Sequence, residues 1–317
     1  MAKNSSLHKA KGSKNDEFYT QLSDIEKELK HYKKHFKDKV VYCNCDDPWV
    51  SNFFRYFSFN FEKLGLKKLI TTCYKSQELE LFSQNDSEQA IYLEYTGDKN
   101  GDNVPNPEEI GINYLKGDGD FRNKECIELL KQADIVVTNP PFSLFREYVA
   151  QLVKYNKAFI IIGNVNAMSY KECFEFINNN NMWLGYNCTR HFTKPDGTMY
   201  ETARSFWYTN LDIAKRHEDL ILYKNYNPEE YPKYDNYDAI NVDTTKDIPM
   251  DYAGAMGVPI TFLDKYNPEQ FEILGMSASA GYDAEIVGIP FLGNKDARPL
   301  INGRNIYARI FIKNKRL

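Results

Sequence analysis

Ala133-Asp134-Ile135-Val136-Val137-Thr138-Asn139-Pro140-Pro141-Phe142 is the stretch on which the fold turns. Its apolar, β-branched middle reads as a buried strand. The strand runs straight into Asn-Pro-Pro-aromatic. Two prolines fix φ and carry no N–H, so the loop is stiff and its carbonyls point outward. Asn139 offers an amide oxygen and Pro140 a carbonyl, Pro141 stiffens the turn, and Phe142 adds a ring face. Two acceptors beside an aromatic face suit a flat ring that carries an amino group, and adenine is such a ring. The plainer reading is a strand with a Pro-rich turn, because Asn-Pro commonly initiates turns. The surroundings must decide between them.

Working outward, strand and helix patterns alternate from about residue 40 to 175. Val40 to Cys43, Lys68 to Cys73, Ile112 to Leu115, the Asn139 run and Ala158 to Gly163 read as strands. Asp24 to Phe36, Asn52 to Leu64, Glu125 to Gln132 and Phe145 to Tyr155 read as helices. This alternation predicts an α/β fold, a parallel sheet with helices on both faces. Ligands of such sheets lie outside the carboxyl ends of the strands. Three polar segments follow strands and should meet there: Asn44 to Pro48, Gly117 to Phe121, and Asn139 to Phe142. Residues 76–113 read as a polar insertion, with Ile91-Tyr92-Leu93 as a hairpin strand. After about residue 178 the pattern changes. Lys194-Pro195-Asp196-Gly197 marks a hairpin turn, and Arg204 to Leu211 and Asp219 to Lys224 read as strands. The expected division is 1–177 for the catalytic part and 178–317 for late strands plus a substrate-facing extension.

Composition narrows the class. With 317 residues, 42% hydrophobic and 26% charged, the chain can bury one large core or two smaller ones. Its net charge of −4 does not by itself point to nucleic acid, so only local clusters could. Lys3, Lys9, Lys11 and Lys14 form a basic arm, and Arg304, Arg309, Lys313, Lys315 and Arg316 crowd the other end. Either group neutralises phosphates or merely solubilises a terminus. Six cysteines without a CxxC pair or a matching His pattern predict no metal site. Reduced thiols, no signal peptide and no apolar run of membrane length predict a cytoplasmic protein.

Each remaining constellation has two readings. Asp16-Glu17-Phe18-Tyr19-Thr20 is an acidic helix entry or a lid with an aromatic and a hydroxyl. Asn44-Cys45-Asp46-Asp47 is an Asx turn or a carboxylate-bearing loop for an amino group. Asp118, Asp120 and Phe121 belong to a capped glycine turn or to an adenine-reading loop. Neither GxGxxG nor GxxxxGK[ST] is present, so phosphate-rich nucleotides fit poorly.

Taken together, the chain resembles the S-adenosylmethionine-dependent DNA adenine-N6 methyltransferases, and most of all the EcoRI-type enzymes. The resemblance runs through DEFYTQ (16–21), VYCNCDDP (41–48), SNFF (51–54), GLKKLI (65–70), GDGDFR (117–122) and DIVVTNPPFSLF (134–145). It continues through YPKYDNYDAIN (231–241), GVPITFL (257–263) and RIFIKNKRL (309–317). It implies a Rossmann-like sheet with a C-terminal target-recognition extension, S-adenosylmethionine as cofactor and duplex DNA as substrate. A cognate restriction endonuclease acting on the same site is an implied companion, with no direct contact, and neither a membrane nor a metal is implied. Asn139 and the Pro140 carbonyl would accept hydrogen bonds from the target amino group, and Phe142 would stack on the extruded base. Asp118 or Asp120 and Phe121 would hold the adenosine of the cofactor, and Asn44, Cys45, Asp46 and Asp47 its methionine end. Phe18, Tyr19 and Thr20 would close that site. Lys11, Lys14, Lys194, Arg204, Lys233 and Asn236 are the expected DNA contacts. The chain departs from the wider class in two places. It lacks an FxGxG loop after the first strand, and Thr72, Cys73 and Tyr74 stand where an acid usually follows the second. Competing readings are a methyltransferase for RNA or a protein glutamine, a non-catalytic DNA-binding subunit, and a nuclease; no acidic-x-Lys pair follows a Pro-Asp to support the last.

Overall fold

Val40, Val41 and Tyr42 are buried, the Tyr42 hydroxyl bonded to Thr72 (2.8 Å), and they lie in the middle of a nine-stranded sheet. The computed structural model describes residues 19–45, 51–72, 90–102, 105–106, 109–194, 197–277 and 298–317. The chain divides into two compact units, Met1–Ala167 with Gly185–Leu211, and Met168–Leu184 with Asp212–Leu317. The expected division near residue 177 placed the late strands with the second part; the contacts group Gly185–Leu211 with the first.

The first unit contains β1 (Tyr19–Thr20), α1 (Leu22–Leu29), α2 (Lys33–Phe36), β2 (Val40–Asn44), α3 (Asn52–Phe59), α4 (Phe61–Leu64) and β3 (Lys68–Thr72). Then come β4 (Ile91–Tyr95), β5 (Ile110–Tyr114), α5 (Lys124–Gln132), β6 (Ile135–Thr138), α6 (Phe145–Lys154) and β7 (Ala158–Asn164). After α7 (Lys171–Asn178), which belongs to the second unit, β8 (Trp183–Thr193) and β9 (Met199–Thr209) complete the sheet. Its order is β1-β8-β9-β7-β6-β2-β3-β4-β5. The four central strands β7, β6, β2 and β3 are parallel, while β4 and β9 run antiparallel to their neighbours β3 and β7. The sheet is therefore mixed, where the sequence led us to expect a parallel one. Both flanks cause this: the insertion 76–113 supplies β4, whose Ile91, Leu93 and Tyr95 alternate inward, and the late segment supplies β9, antiparallel to β7.

Local chemistry sets the element ends. Ser51 caps α3 by accepting from the amides of Phe53 (3.2 Å) and Phe54 (3.3 Å). The helix expected over 52–64 breaks at Asn60, whose side chain donates to the Tyr56 carbonyl, 2.8 Å. Gly65 then ends α4 at φ 63°, a left-handed C-cap that glycine adopts without steric cost. The helix expected over 24–36 likewise splits into α1 and α2. The connection from β4 to β5 is knitted internally. Asp98 accepts from the Asn100 and Gly101 amides (3.1 and 2.7 Å), and buried Glu109 accepts from Lys99 and Asn100 (2.7 and 3.2 Å).

Buried residues recur at i, i+3, i+4 and i+7 along α6 (Phe145, Tyr148, Val149, Leu152), the signature of a helix with one apolar stripe. That stripe packs on β7, where a side chain at Gly163 would overlap the Phe145 ring. α5 packs on β2 and α3 on β3.

The second unit holds β10 (Ile240–Asn241), β11 (Met256–Pro259), β12 (Phe271–Met276), β13 (Leu300–Ile301), β14 (Arg304–Asn305) and β15 (Arg309–Asn314). Its four-stranded sheet has the order β10-β11-β15-β12, and β13 pairs with β14. Tyr234, Tyr237, Ala239 and Phe311 form a buried cluster. Asp219 to Lys224, expected as a strand, makes only an isolated bridge from Lys224 to Pro249. Side chains hold its start in place of a ladder: Gln270 brackets Leu220, and Arg316 grips Asp219 with two bonds of 2.8 and 2.7 Å. Arg309, Lys315 and Arg316 all bond within this unit, so the basic tail is partly structural. Arg216 stacks 3.8 Å over the Trp183 ring and donates to Asn180, 2.6 Å.

His217 bridges Asp212 (2.6 Å) and Glu269 (3.2 Å), and these carboxylates raise its pKa above the ordinary imidazole value. A raised folded pKa means that the stabilisation is complete below about pH 6.5 and is lost as pH rises through the folded value. The bridge is exposed, so the expected effect is at most about 1 kcal/mol. Denaturation of wild type and His217→Gln should therefore differ at pH 5.5 and converge by pH 8.5. A difference independent of pH would refute this origin.

Candidate active site

β2, β5 and β6 end on the same edge of the sheet, and their following segments meet there. Asn44 closes β2 and is 4% exposed; Cys45 follows with φ 82°. Thr138 closes β6 and donates through Oγ1 to the Asn44 carbonyl. Tyr148 on α6 donates through its hydroxyl to Asn44 Oδ1. Asn44 is thus held by the strand before the Pro-Pro loop and by the helix after it. Complete burial keeps the Tyr148 pKa well above the ordinary phenol value, so it stays a donor.

The Gly117 turn is shaped from both sides. Glu125 in the first turn of α5 reaches back and accepts from the amides of Lys116 (3.1 Å) and Gly117 (2.8 Å). Asp118 accepts from the Asp120 amide (3.0 Å) and from the Asn123 side chain. Gly119 takes φ 78°. Arg122 grips Asp120 through Nε (2.9 Å) and Nη2 (2.6 Å) and reaches Glu147 with Nη1, 3.1 Å. Burial pushes the Asp120 pKa up, but the Arg122 hydrogen bonds outweigh it and hold the carboxyl below its ordinary value. Phe121 is 7% exposed and packs edge-to-face on Tyr148, centroids 5.0 Å apart. Gln151, one position short of a helical turn beyond Tyr148, donates to the Phe121 carbonyl, 3.0 Å.

Asn139 is 6% exposed and Pro140 is buried. Asn139 has contacts with its surroundings, but its Oδ1 accepts no hydrogen bond among the described residues. Phe142 opens a short 3₁₀ turn to Leu144, and its ring stands edge-on to buried Phe192, centroids 6.0 Å apart. A cavity of about 190 Å³ lies between these segments, lined by Cys45, Gly119, Asp120, Phe121, Arg122, Pro141 and Leu144. All three expected segments contribute to it.

The structure sorts the expected residues. Cys45, Asp120, Phe121 and Pro141 line the cavity. Asn44 lies behind it, its oxygens taken by Tyr148 and Thr138, and Asp118 is spent on shaping the turn. Tyr19 and Thr20 form β1, paired with Thr193 and Phe192. Phe18, Asp46, Asp47, Lys11 and Lys14 lie outside the described residues. Lys194 is half-buried, Arg204 and Lys233 exposed. Asn236 needs correction: it is 4% exposed, and its amide donates to Arg298 O (2.7 Å) and accepts from Leu300 N (2.9 Å). It is an internal staple with no edge left for a base. Sequence reading missed Arg122, Leu144, Tyr148, Gln151 and Phe192. Tyr148 and Gln151 fell inside the helix expected from Phe145 to Tyr155, with no local signal of a role in the site.

Among the described residues, Cys43, Cys45, Cys126, Cys173 and Cys188 are thiols, not disulfides. Burial pushes Cys126 up to about 12. No described helix is long and apolar enough to cross a membrane.

Comparison with known proteins follows the same segments. A family model described as adenine-specific methyltransferase EcoRI matches residues 6–315. The chain is 51% identical to the Type II methyltransferase M.EcoRI of Escherichia coli, over 100% of this chain and 98% of that one. It is 38% identical to the Type II methyltransferase M.MgeORF184P of Mycoplasma genitalium, over 98% and 99%. It is 34% identical to the Type II methyltransferase M.MpnI of Mycoplasma pneumoniae, over 98% of each. No solved structure matches the chain. On a match that spans nearly every residue, including the Asn139 loop and the turns that meet it, this chain belongs to the EcoRI family of adenine-specific methyltransferases.

Proposed function

We propose that this enzyme transfers the methyl group of S-adenosylmethionine to N6 of one adenine in a specific duplex DNA sequence. One observation carries the assignment of its site: the Asn139 loop and the Gly119–Arg122 turn share one cavity at the carboxyl edge of the strands. That placement also supports reading the first unit as a Rossmann-like cofactor domain; the second is proposed as the target-recognition region on the family resemblance alone. The cavity fits the cofactor in character. It has an aromatic ring at Phe121, an ionised carboxylate at Asp120 and no phosphate-binding loop. When bound, the cofactor supplies an electrophilic methyl on a sulfonium. Asp120, Phe121 and Cys45 would hold it, and Tyr19 and Thr20, paired with Thr193 and Phe192, would help to close it.

The target base cannot react inside a duplex and must be extruded, at a cost of a few kcal/mol. Its N6 lone pair is delocalised into the ring and is a poor nucleophile. Asn139 Oδ1 and the Pro140 carbonyl accept from the two N6 hydrogens and localise the pair on nitrogen. Their stiff loop keeps these acceptors in place without reorganisation. Phe142, steadied by Phe192, gives the extruded ring a face. Lys194, Arg204 and Lys233 are proposed phosphate or base contacts. A cognate restriction endonuclease at the same sequence and a cytoplasmic setting complete the reading.

The test is transfer of labelled methyl from S-adenosylmethionine to mixed-sequence duplex DNA, followed by nucleoside analysis. N6-methyladenine is expected. Cofactor binding without DNA methylation would overturn the reading in favour of RNA or a protein amide.

The tie from Tyr148 to Asn44 makes a separate prediction. Tyr148→Phe keeps the ring against Phe121 and strands the buried Asn44 oxygen, a loss of about 1–2 kcal/mol in stability. Cofactor affinity measured by calorimetry should fall several-fold while duplex affinity is unchanged. Equal losses for both ligands would mean general loosening instead.

A further inference from the structure

We infer that the outer half of the β8–β9 hairpin, braced along β8 by β1, is a ribbon that holds duplex DNA over the Asn139 loop. This rests on the reading of DNA as substrate and adds the surface that receives it. The register is the first observation. β7 pairs with β9 only from Ser205 to Thr209, and its last residue, Asn164, lies opposite Ser205. Met199 to Arg204 therefore run beyond the carboxyl end of β7, the edge on which the Asn139 loop lies. Six residues of strand span about 20 Å. Burial changes at the same point: Ser205 to Thr209 are buried, whereas Met199 is 63% and Tyr200 37% exposed.

Continuity with the catalytic loop is the second observation. Phe192, near the outer end of β8, is the buried partner of Phe142. The ribbon is thus anchored against the loop that presents Asn139. β1 pairs with Phe192 and Thr193 and braces this part of β8.

Charge is the third. Arg190, His191 and Arg204 are exposed, and Lys194 lies 4.9 Å over the Tyr200 ring. Glu201 is the exposed acid among the described residues of this segment, and Asp196 is outside them. Three permanent cations within one projecting ribbon oppose a phosphate backbone in sign. The Tyr200 ring gives aromatic contact that a purely electrostatic surface would not need. Consecutive strand residues point to opposite faces: Tyr200 shares its face with Lys194, whereas Met199 is turned to Gln21 and Thr193. Arg190, Lys194 and Arg204 accordingly face phosphates, with the Tyr200 ring beside Lys194.

The experiment uses the full chain and a mixed-sequence duplex, with affinity followed against salt. Lys194→Ala/Arg204→Ala should weaken binding about tenfold or more and lower the slope of log K against log salt by about one per lost phosphate contact. Tyr200→Ala should weaken binding with the slope unchanged. S-adenosylmethionine affinity and melting temperature should stay at wild-type values in both, since these side chains lie outside the core. Wild-type affinity and slope in both variants would overturn the ribbon assignment. Failure of the wild-type protein to bind any duplex would instead overturn the DNA reading on which it rests.

Discussion

Asn139→Ala is expected to lower methyl transfer by at least about 10²–10³-fold, the scale on which removing one preorganised charge-stabilising group acts. The side chain lies at the end of a buried strand, behind a Pro-Pro loop that cannot relax to replace it. In the proposed reaction its Oδ1 accepts from the target amino group, while the cavity is lined by Cys45, Gly119 to Arg122, Pro141 and Leu144. Cofactor affinity should therefore stay within about twofold of wild type, because acceptors used only in the transition state govern turnover rather than ground-state binding. Single-turnover transfer and equilibrium dialysis separate the two quantities. Near-normal turnover would remove Asn139 from the reaction. Equal losses of turnover and cofactor binding would assign it to the cofactor.

The second large effect concerns Glu28, a charged residue with no exposed surface on α1. Its carboxylate accepts from the Tyr32 hydroxyl (2.8 Å), the Tyr186 and Asn187 amides (both 2.8 Å) and the Asn187 side chain (2.9 Å). It fastens α1 to the inner part of β8, the root of the proposed DNA ribbon. Glu28→Ala strands several buried donors at once and should cost at least about 3 kcal/mol. Burial raises the Glu28 pKa above the ordinary carboxylate value, against the hydrogen bonds that lower it. A raised folded pKa places its stabilisation below about pH 4.5, and this is lost as pH climbs through the folded value. Glu28→Gln, which cannot ionise, should therefore lack that alkaline-going decline. Denaturant melts from pH 4 to 8 measure both effects; an acid-going loss confined to wild type would reverse the assignment.

These two residues differ in how far the sequence revealed them. Asn139 was legible because Asn-Pro-Pro-Phe after a β-branched run is a local signal: proline geometry and strand burial act over neighbouring residues. Glu28 looked like one acid on a charged helix, since its partners Tyr186 and Asn187 are far along the chain. Asp120 shows the same limit. Its turn could be read, but its tie to Arg122, and thence to Glu147 on α6, could not. Asn236 shows the reverse error: a polar residue in a Tyr-rich stretch looked available, and the fold spends both ends of its amide on the backbone.

By itself the sequence determined the alternating α/β core, the three loops that end its strands, and the family to which they belong. Each rests on contacts between near neighbours or on a motif carried intact along the chain. The tertiary structure decided that the sheet is mixed, that Asp120 rather than Asp118 lines the cavity, that Tyr148 holds Asn44, and that the β8–β9 ribbon runs past the catalytic edge. Those features depend on strand register and on side chains that meet only after long loops have closed, and no local propensity encodes either.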